Sequence, residues 1–144
     1  MKTVLMIEDE GMLSELFSEY VLMLPDVKYL GCCNDGTIAL KRCLELRPDV
    51  IVQDIRLPGV NGLDMLKQIR KNLPDTKVLV FSGSLDAYTV RMALEGDAHA
   101  FVEKAYGLTE LNKAILEVMA GNRYYSKGAK DFVDKLKAER PAGC

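Results

Sequence analysis

Five short, nearly unbroken apolar runs, separated by segments of helical periodicity, constrain this chain more than any other feature. The runs are Thr3 to Ile7, Lys28 to Cys32, Val50 to Gln53, Lys77 to Phe81 and Ala98 to Val102. A strand wetted on one face alternates apolar and polar residues, whereas a strand covered on both faces reads as a continuous apolar run. Helix-period stripes lie between them. The clearest spans 12–24, where Leu13, Leu16, Phe17, Tyr20, Val21 and Leu24 fall on one face. Further helices are expected at about 36–47, 62–72, 86–95 and 108–120, the last through Leu108, Leu111, Ile115, Val118 and Met119. Strands that alternate with helices imply βα repeats, a parallel sheet and right-handed crossovers.

A chain of 144 residues suits one domain and can bury roughly 70% of the surface its unfolded form exposes. Past Gly121 the pattern thins to a narrow stripe, Ala129, Phe132, Val133 and Leu136, among lysines and acids. It predicts a surface-lying sixth helix over 127–140, ending before Pro141. The expected organisation is a domain at 1–123 followed by a helical tail or linker at 124–144 that has no core of its own.

A formal charge of −2 gives no broad attraction to nucleic acid or anionic membrane. No apolar run approaches a membrane span and no basic, apolar leader opens the chain, so the expectation is a cytoplasmic protein. The four cysteines, Cys32, Cys33, Cys43 and Cys144, lack the C-x-x-C spacing of a zinc or redox site. They read as free thiols, with Cys32 and Cys33 as small buried fillers. The single histidine, His99, reads as a surface or loop residue.

In an open parallel sheet the ligand crevice lies beyond the carboxyl ends of the strands. The first run leads into Glu8, Asp9 and Glu10, the third into Asp54, the fourth into Ser82, Gly83 and Ser84, and the fifth into Lys104. Any one of these has a bland explanation in a turn, a cap or a solvated side chain. Together they fall at one edge of one sheet. Three carboxylates brought close repel one another, and protonation or a divalent cation relieves the strain. All-oxygen donors favour magnesium or calcium over zinc; with no twelve-residue calcium loop present, magnesium is the expected ion.

The segments VLMIEDEG, PDVIVQDIRLPGVNGLDML, VLVFSGS and AFVEKA resemble, in order and spacing, the four sequence blocks of the receiver domain of bacterial two-component response regulators. The resemblance covers residues 2 to about 122. It implies a flavodoxin-like (βα)5 doubly wound parallel sheet with strand order 2-1-3-4-5, here with an extra C-terminal helix. It also implies that Asp54 is phosphorylated by a histidine kinase or phosphotransfer protein. Glu8, Asp9, Asp54 and the Arg56 backbone carbonyl would hold magnesium, while Ser82 and Lys104 would bind phosphoryl oxygens. Ser82 and Phe101 would form the switch that remodels the face built from helix 4, strand 5 and helix 5. Arg56 and Ser84 would tune hydrolysis of the aspartyl phosphate.

The stretch at 108–126 looks like the last receiver helix and exit of LuxR/NarL-type regulators. That implies transcriptional control through an output domain absent from these residues, contact with DNA only through it, and room for a homodimer. The chain is then a phosphoacceptor signalling domain rather than an enzyme. The competing reading is a phosphorylation-independent or stand-alone receiver that acts as a protein-interaction module. A phosphatase of the haloacid dehalogenase type fits poorly, because Glu8, Asp9 and Glu10 stand where D-x-D is usual. A flavin site fits no better, since the first loop is acidic.

Three departures from the family bear on the site, one of them Glu8, where many receivers have Asp and the longer arm can still reach metal-bound water. The family usually has Lys-Pro with a cis bond where this chain has Lys104-Ala105. A non-proline cis bond costs about 3 kcal/mol, so either a trans bond with a rearranged loop or a strained cis bond is expected. Gln53 is polar for a position before the acceptor and reads as a side chain at a frayed strand end.

Overall fold

The computed structural model describes residues 1–139. Six parallel strands form one sheet: β1 (Lys2–Ile7), β2 (Val27–Cys33), β3 (Val50–Gln53), β4 (Lys77–Ser82), β5 (Ala100–Glu103) and β6 (Tyr124–Tyr125), in the order β2-β1-β3-β4-β5-β6. The helices are α1 (Gly11–Tyr20), α2 (Gly36–Leu46), α3 (Gly62–Asn72), α4 (Ala87–Glu95), α5 (Gly107–Met119) and α6 (Lys127–Ala138). This is the flavodoxin-like order read from the resemblance, extended by one short strand. Residue 140 of the expected sixth helix, and Cys144, lie outside the described residues.

The unbroken apolar runs split residue by residue between two cores. Val4, Met6, Val50, Val52, Leu79, Phe81, Ala100 and Val102 face α1 and α5, packing on Phe17, Leu111, Ile115 and Val118. Leu5, Ile7, Ile51, Val78, Val80 and Phe101 face the other way, toward Met65, Leu66 and Ile69 of α3, Val90 of α4 and Ala129 and Val133 of α6. Period-two alternation is therefore present, but both of its faces are apolar.

The first helical stripe ends earlier than its spacing suggested. α1 stops at Tyr20, and Val21–Met23 tighten into a 3-10 turn. Leu24 precedes Pro25, which disfavours the helical conformation at that residue, and Leu24 is extended with ψ 134°. β6 was not expected: two residues are too short to leave a periodic signal. Its backbone is nevertheless paired, with Tyr124 N–H donating to His99 O at 3.2 Å and Ser126 N–H to Phe101 O at 2.9 Å.

Three residues differ from their sequence reading. Cys33 is buried as expected, but Cys32 is exposed, because β2 is an edge strand and neighbouring residues on it point to opposite faces. Gln53 is fully buried, not frayed: its Nε2 donates to Gly62 O at 3.3 Å, tying the end of β3 to the start of α3. The close approach there admits only glycine, since a Cβ on Gly62 would lie 1.7 Å from Ile55 O. His99 is buried at 9% exposure, because its Nδ1 accepts a hydrogen bond from Val78 N–H at 3.0 Å.

That bond fixes His99 as neutral, with its proton on Nε2. Burial, reinforced by the charges of Arg70, Lys77 and Arg123, pushes its pKa down to about 4. An unfolded histidine titrates near 6.5, so between about pH 6.5 and 4 the unfolded chain binds the extra proton and the fold loses stability as pH falls. The contribution is complete above pH 6.5 and on the order of 3 kcal/mol. Urea titrations from pH 7.5 to 4 should show this decline, and His99→Asn should flatten it; an unchanged slope in the variant would rule out His99 as its source.

Candidate functional site

The strand order reverses between β1 and β3, and the crevice outside their carboxyl ends is where an open α/β sheet binds ligands. Glu8 and Asp9 follow β1 directly and Asp54 follows β3, so their placement is set by strands that pair in register from Val4/Val50 to Ile7/Gln53. Asp54 N–H continues the ladder by donating to Ile7 O at 3.0 Å. Carboxylate oxygens of Glu8, Asp9 and Asp54 all lie within 4.8 Å of one another. The acids collected from separate strand ends thus converge.

Lys104, from the end of β5, reaches into this group. Its Nζ lies 2.8 Å from Glu8 Oε2, 3.0 Å from Asp54 Oδ2 and 3.6 Å from Glu10 Oε2. No cis peptide bond occurs among the described residues, so the Lys104-Ala105 bond is trans; Lys104–Tyr106 form a 3-10 turn. The missing proline therefore does not withdraw the ammonium from the acids. Burial raises the pKa of Glu8, and it stays raised although hydrogen bonds from Lys104 and the Glu10 N–H favour the charged form. Burial works against the Lys104 charge as well, but its bonds to Glu8 and Asp54 outweigh it and raise its pKa.

Asp54 is less open than its place at a strand end suggested, with 8% of its surface exposed. One oxygen, Oδ1, accepts from Arg56 N–H at 3.0 Å, and the other lies under Lys104. Ser82 is buried and spends its hydroxyl locally: it donates to Ser84 O and accepts from Ser84 N–H, both at 3.1 Å. Phe101 is buried in the core shared with α6 and does not enter the acid group.

Arg56 has a role that sequence did not show. Its Nε and Nη2 donate to Thr89 Oγ1 at 3.1 and 2.7 Å, Nη2 lies 3.6 Å from Asp86 Oδ2, and the guanidinium sits 5.5 Å from the Tyr88 ring centroid. Asp86 is itself the N-cap of α4, accepting from Thr89 N–H at 2.7 Å. The residue two beyond Asp54 therefore clamps the start of α4. The D-A-Y-T run at 86–89, an N-cap before a helical stripe, was the only available signal. A cavity of about 490 Å3 lined by Arg91, Asp97, Arg123, Tyr125 and Leu136 does not include the acids.

Fold and site together define a doubly wound α/β domain with an acid-lined crevice at its topological switch point. Residues 4–116 match the model of the response regulator receiver domain, and the chain belongs to that family. It is 30% identical over 124 residues to the response regulator GacA of Pseudomonas viridiflava, covering 85% of this chain and 58% of that protein. It is likewise 30% identical over 125 residues to the nitrate/nitrite response regulator protein NarL of Escherichia coli K12, covering 87% and 58%. The chain thus spans a little over half the length of these relatives. Among solved structures, a LuxR-family two-component response regulator from Aurantimonas sp. SI85-9A1 superposes with a TM-score of 0.87 at 23% identity, covering 96% of this chain and 99% of that one. Receiver domains are signalling domains, and no helix among the described residues is long and apolar enough to cross a membrane.

Lys104→Met keeps the aliphatic stem but removes the ammonium from a site where Glu8 is 2% exposed. Leaving a buried carboxylate without its partner should cost about 3 kcal/mol at pH 8. Glu8 would then hold a proton that the unfolded chain releases, so the deficit should shrink as pH falls toward 5. Chemical denaturation at the two pH values without divalent ions checks this; an equal deficit at both would mean that packing, not charge, is lost.

Proposed function

We propose that this receiver is a phosphorylation switch whose acceptor is Asp54. The observation that carries the reading is the convergence of Glu8, Asp9 and Asp54 within 4.8 Å, with Lys104 Nζ 3.0 Å from Asp54 Oδ2. A carboxylate oxygen of Asp54 attacks the phosphorus of a phosphohistidine on a kinase or phosphotransfer protein, the P–N bond breaks, and the imidazole nitrogen leaves with its electron pair. The product is an aspartyl phosphate. Such transfer needs little beyond alignment and neutralisation of charge.

Lys104 moves its ammonium from the carboxylates to a phosphoryl oxygen, and Ser82 turns its hydroxyl proton to another. Glu8, Asp9, Asp54 and the Arg56 backbone carbonyl would hold magnesium, an all-oxygen donor set of the kind that ion takes. Magnesium, when bound, supplies the positive charge that lets a dianionic phosphoryl group approach these acids. Arg56 and Ser84 flank the route of water to the phosphorus and set how long the mixed anhydride lasts. Hydrolysis by these same groups ends the signal without making the chain an enzyme of substrate turnover.

The new charge of about −2 is the output signal. Because the chain spans 58% of its curated relatives, an effector region beyond it, through which transcription would be controlled in the cytoplasm, is part of the same reading. The protein partner is a histidine kinase or phosphotransfer protein, with a second copy of the receiver as a further one. Ala105, standing where the family usually has proline, is the feature that favours the interaction-module alternative; the reach of Lys104 to Asp54 supports the switch instead.

Incubation with acetyl phosphate should add the mass of one phosphoryl group only when magnesium is present. Asp54→Asn should gain none, and Lys104→Met should gain at least about ten-fold more slowly, the loss of one charge-stabilising group. A mass gain that persists in Asp54→Asn would move the acceptor elsewhere; none in the parent protein would end the proposal.

A further inference from the structure

The face expected to carry the signal outward, α4 with β5, is not open. β6 pairs along the free edge of β5, and α6 lies against both α4 and β5, burying Ala129 and Val133 in the core that also holds Phe101. The seat of α6 is fixed at its first turn. Ser126 occupies the N-cap position and is fully buried, yet its hydroxyl caps nothing in its own helix. It donates instead to Glu103 Oε2 at 3.0 Å and accepts from Glu103 N–H at 3.2 Å. Two residues on, Gly128 packs closely under two side-chain ends: an added Cβ would lie 2.7 Å from Leu85 Cδ2 and 2.8 Å from Glu103 Oε2, so a larger residue must push both aside.

Both residues that press on Gly128 are neighbours of phosphate-handling groups. Glu103 immediately precedes Lys104. Leu85 belongs to the loop whose conformation is held by Ser82, through its bonds to Ser84 O and Ser84 N–H. A serine hydroxyl has one proton. Once Ser82 gives it to a phosphoryl oxygen, Ser84 O loses its donor and the loop carrying Leu85 loses a tether. When Lys104 turns toward the same group, its bonds to Glu8 and Glu10 are given up at the residue next to Glu103. Phe101 is already inward, with 1% of its surface exposed, so its side chain has no inward turn left to make.

We infer that α6 is a phosphorylation-gated cover over the α4 and β5 face, latched by Gly128 against Leu85 and Glu103 and by Ser126 on Glu103. The inference rests on the phosphoacceptor reading of Asp54. Arrival of the phosphoryl group loosens both sides of the latch, and α6 opens locally, uncovering its apolar stripe and the flank of α4.

Hydrogen exchange of the 144-residue chain, followed by mass spectrometry with acetyl phosphate and magnesium, tests it. Intact mass taken from the same samples reports phosphoryl occupancy. Peptides covering 127–138 should exchange at least about five-fold faster in the phosphorylated protein, while those of α3 stay unchanged, as expected of local opening. Asp54→Asn should show no change. Gly128→Val should expose α6 without phosphorylation while circular dichroism retains the remaining fold. A phosphoryl gain with unaltered exchange in α6, or a Gly128→Val variant protected like the parent, overturns the gate alone. No phosphoryl gain in any sample overturns both the gate and the reading beneath it.

Discussion

The contact on which the site depends is the Lys104 ammonium held among carboxylates at the ends of β1 and β3. Neighbouring strands that stop at the same level force Glu8, Asp9 and Asp54 together, and the backbone offers no way to spread them. The fold thus carries a standing electrostatic cost in its crevice, which the two apolar layers beneath are large enough to bear. Lys104 offsets part of that cost, with its ammonium 2.8 Å from Glu8 and 3.0 Å from Asp54.

Most of the fold was legible because burial on both faces leaves an unambiguous mark. Runs such as Val50 to Val52 and Val78 to Phe81 can serve only as central strands, and each lies within a residue or two of its expected limits. The site was legible for a related reason. In a parallel sheet every strand delivers its next residue to the same edge, so polar residues that follow apolar runs are brought together by topology alone. Glu8, Asp9, Asp54 and Lys104 could be grouped without knowing a single distance, whereas the Ser82 hydroxyl, expected with them, bonds only to Ser84.

What escaped depends on side-chain geometry rather than on strand ends. His99 and Gln53 look like polar residues at strand margins, and sequence carries no sign that Val78 N–H and Gly62 O supply their partners. The bond from Val78 N–H satisfies His99 Nδ1, whereas the bond to Gly62 O satisfies only Nε2 of Gln53 and leaves its Oε1 buried without a partner. Arg56 follows Asp54 by two residues, but its reach across to Thr89 and Asp86 is a long-range contact spanning some thirty residues. Asp54 is buried because Lys104 covers it from the end of β5, two strands away, a contact that no local pattern shows.

The C-terminal segment brings these threads together. Read as sequence, residues 124–139 looked like an appendage, because a two-residue strand has no period and the stripe on α6 is narrow. In the fold, β6 and α6 form a sixth, abbreviated βα repeat that closes the β5 edge and places Ala129 and Val133 in the main core. Exposed sheet edges invite pairing with other chains, and a short paired strand removes that liability. The closure also has a directional consequence. Any displacement that starts at Ser82 or Lys104 and travels outward along β4 or β5 meets Leu85 or Glu103 first, and both bear on Gly128. The acid crevice and the sheet edge are therefore joined by contacts between immediate neighbours in sequence, with no distant relay required.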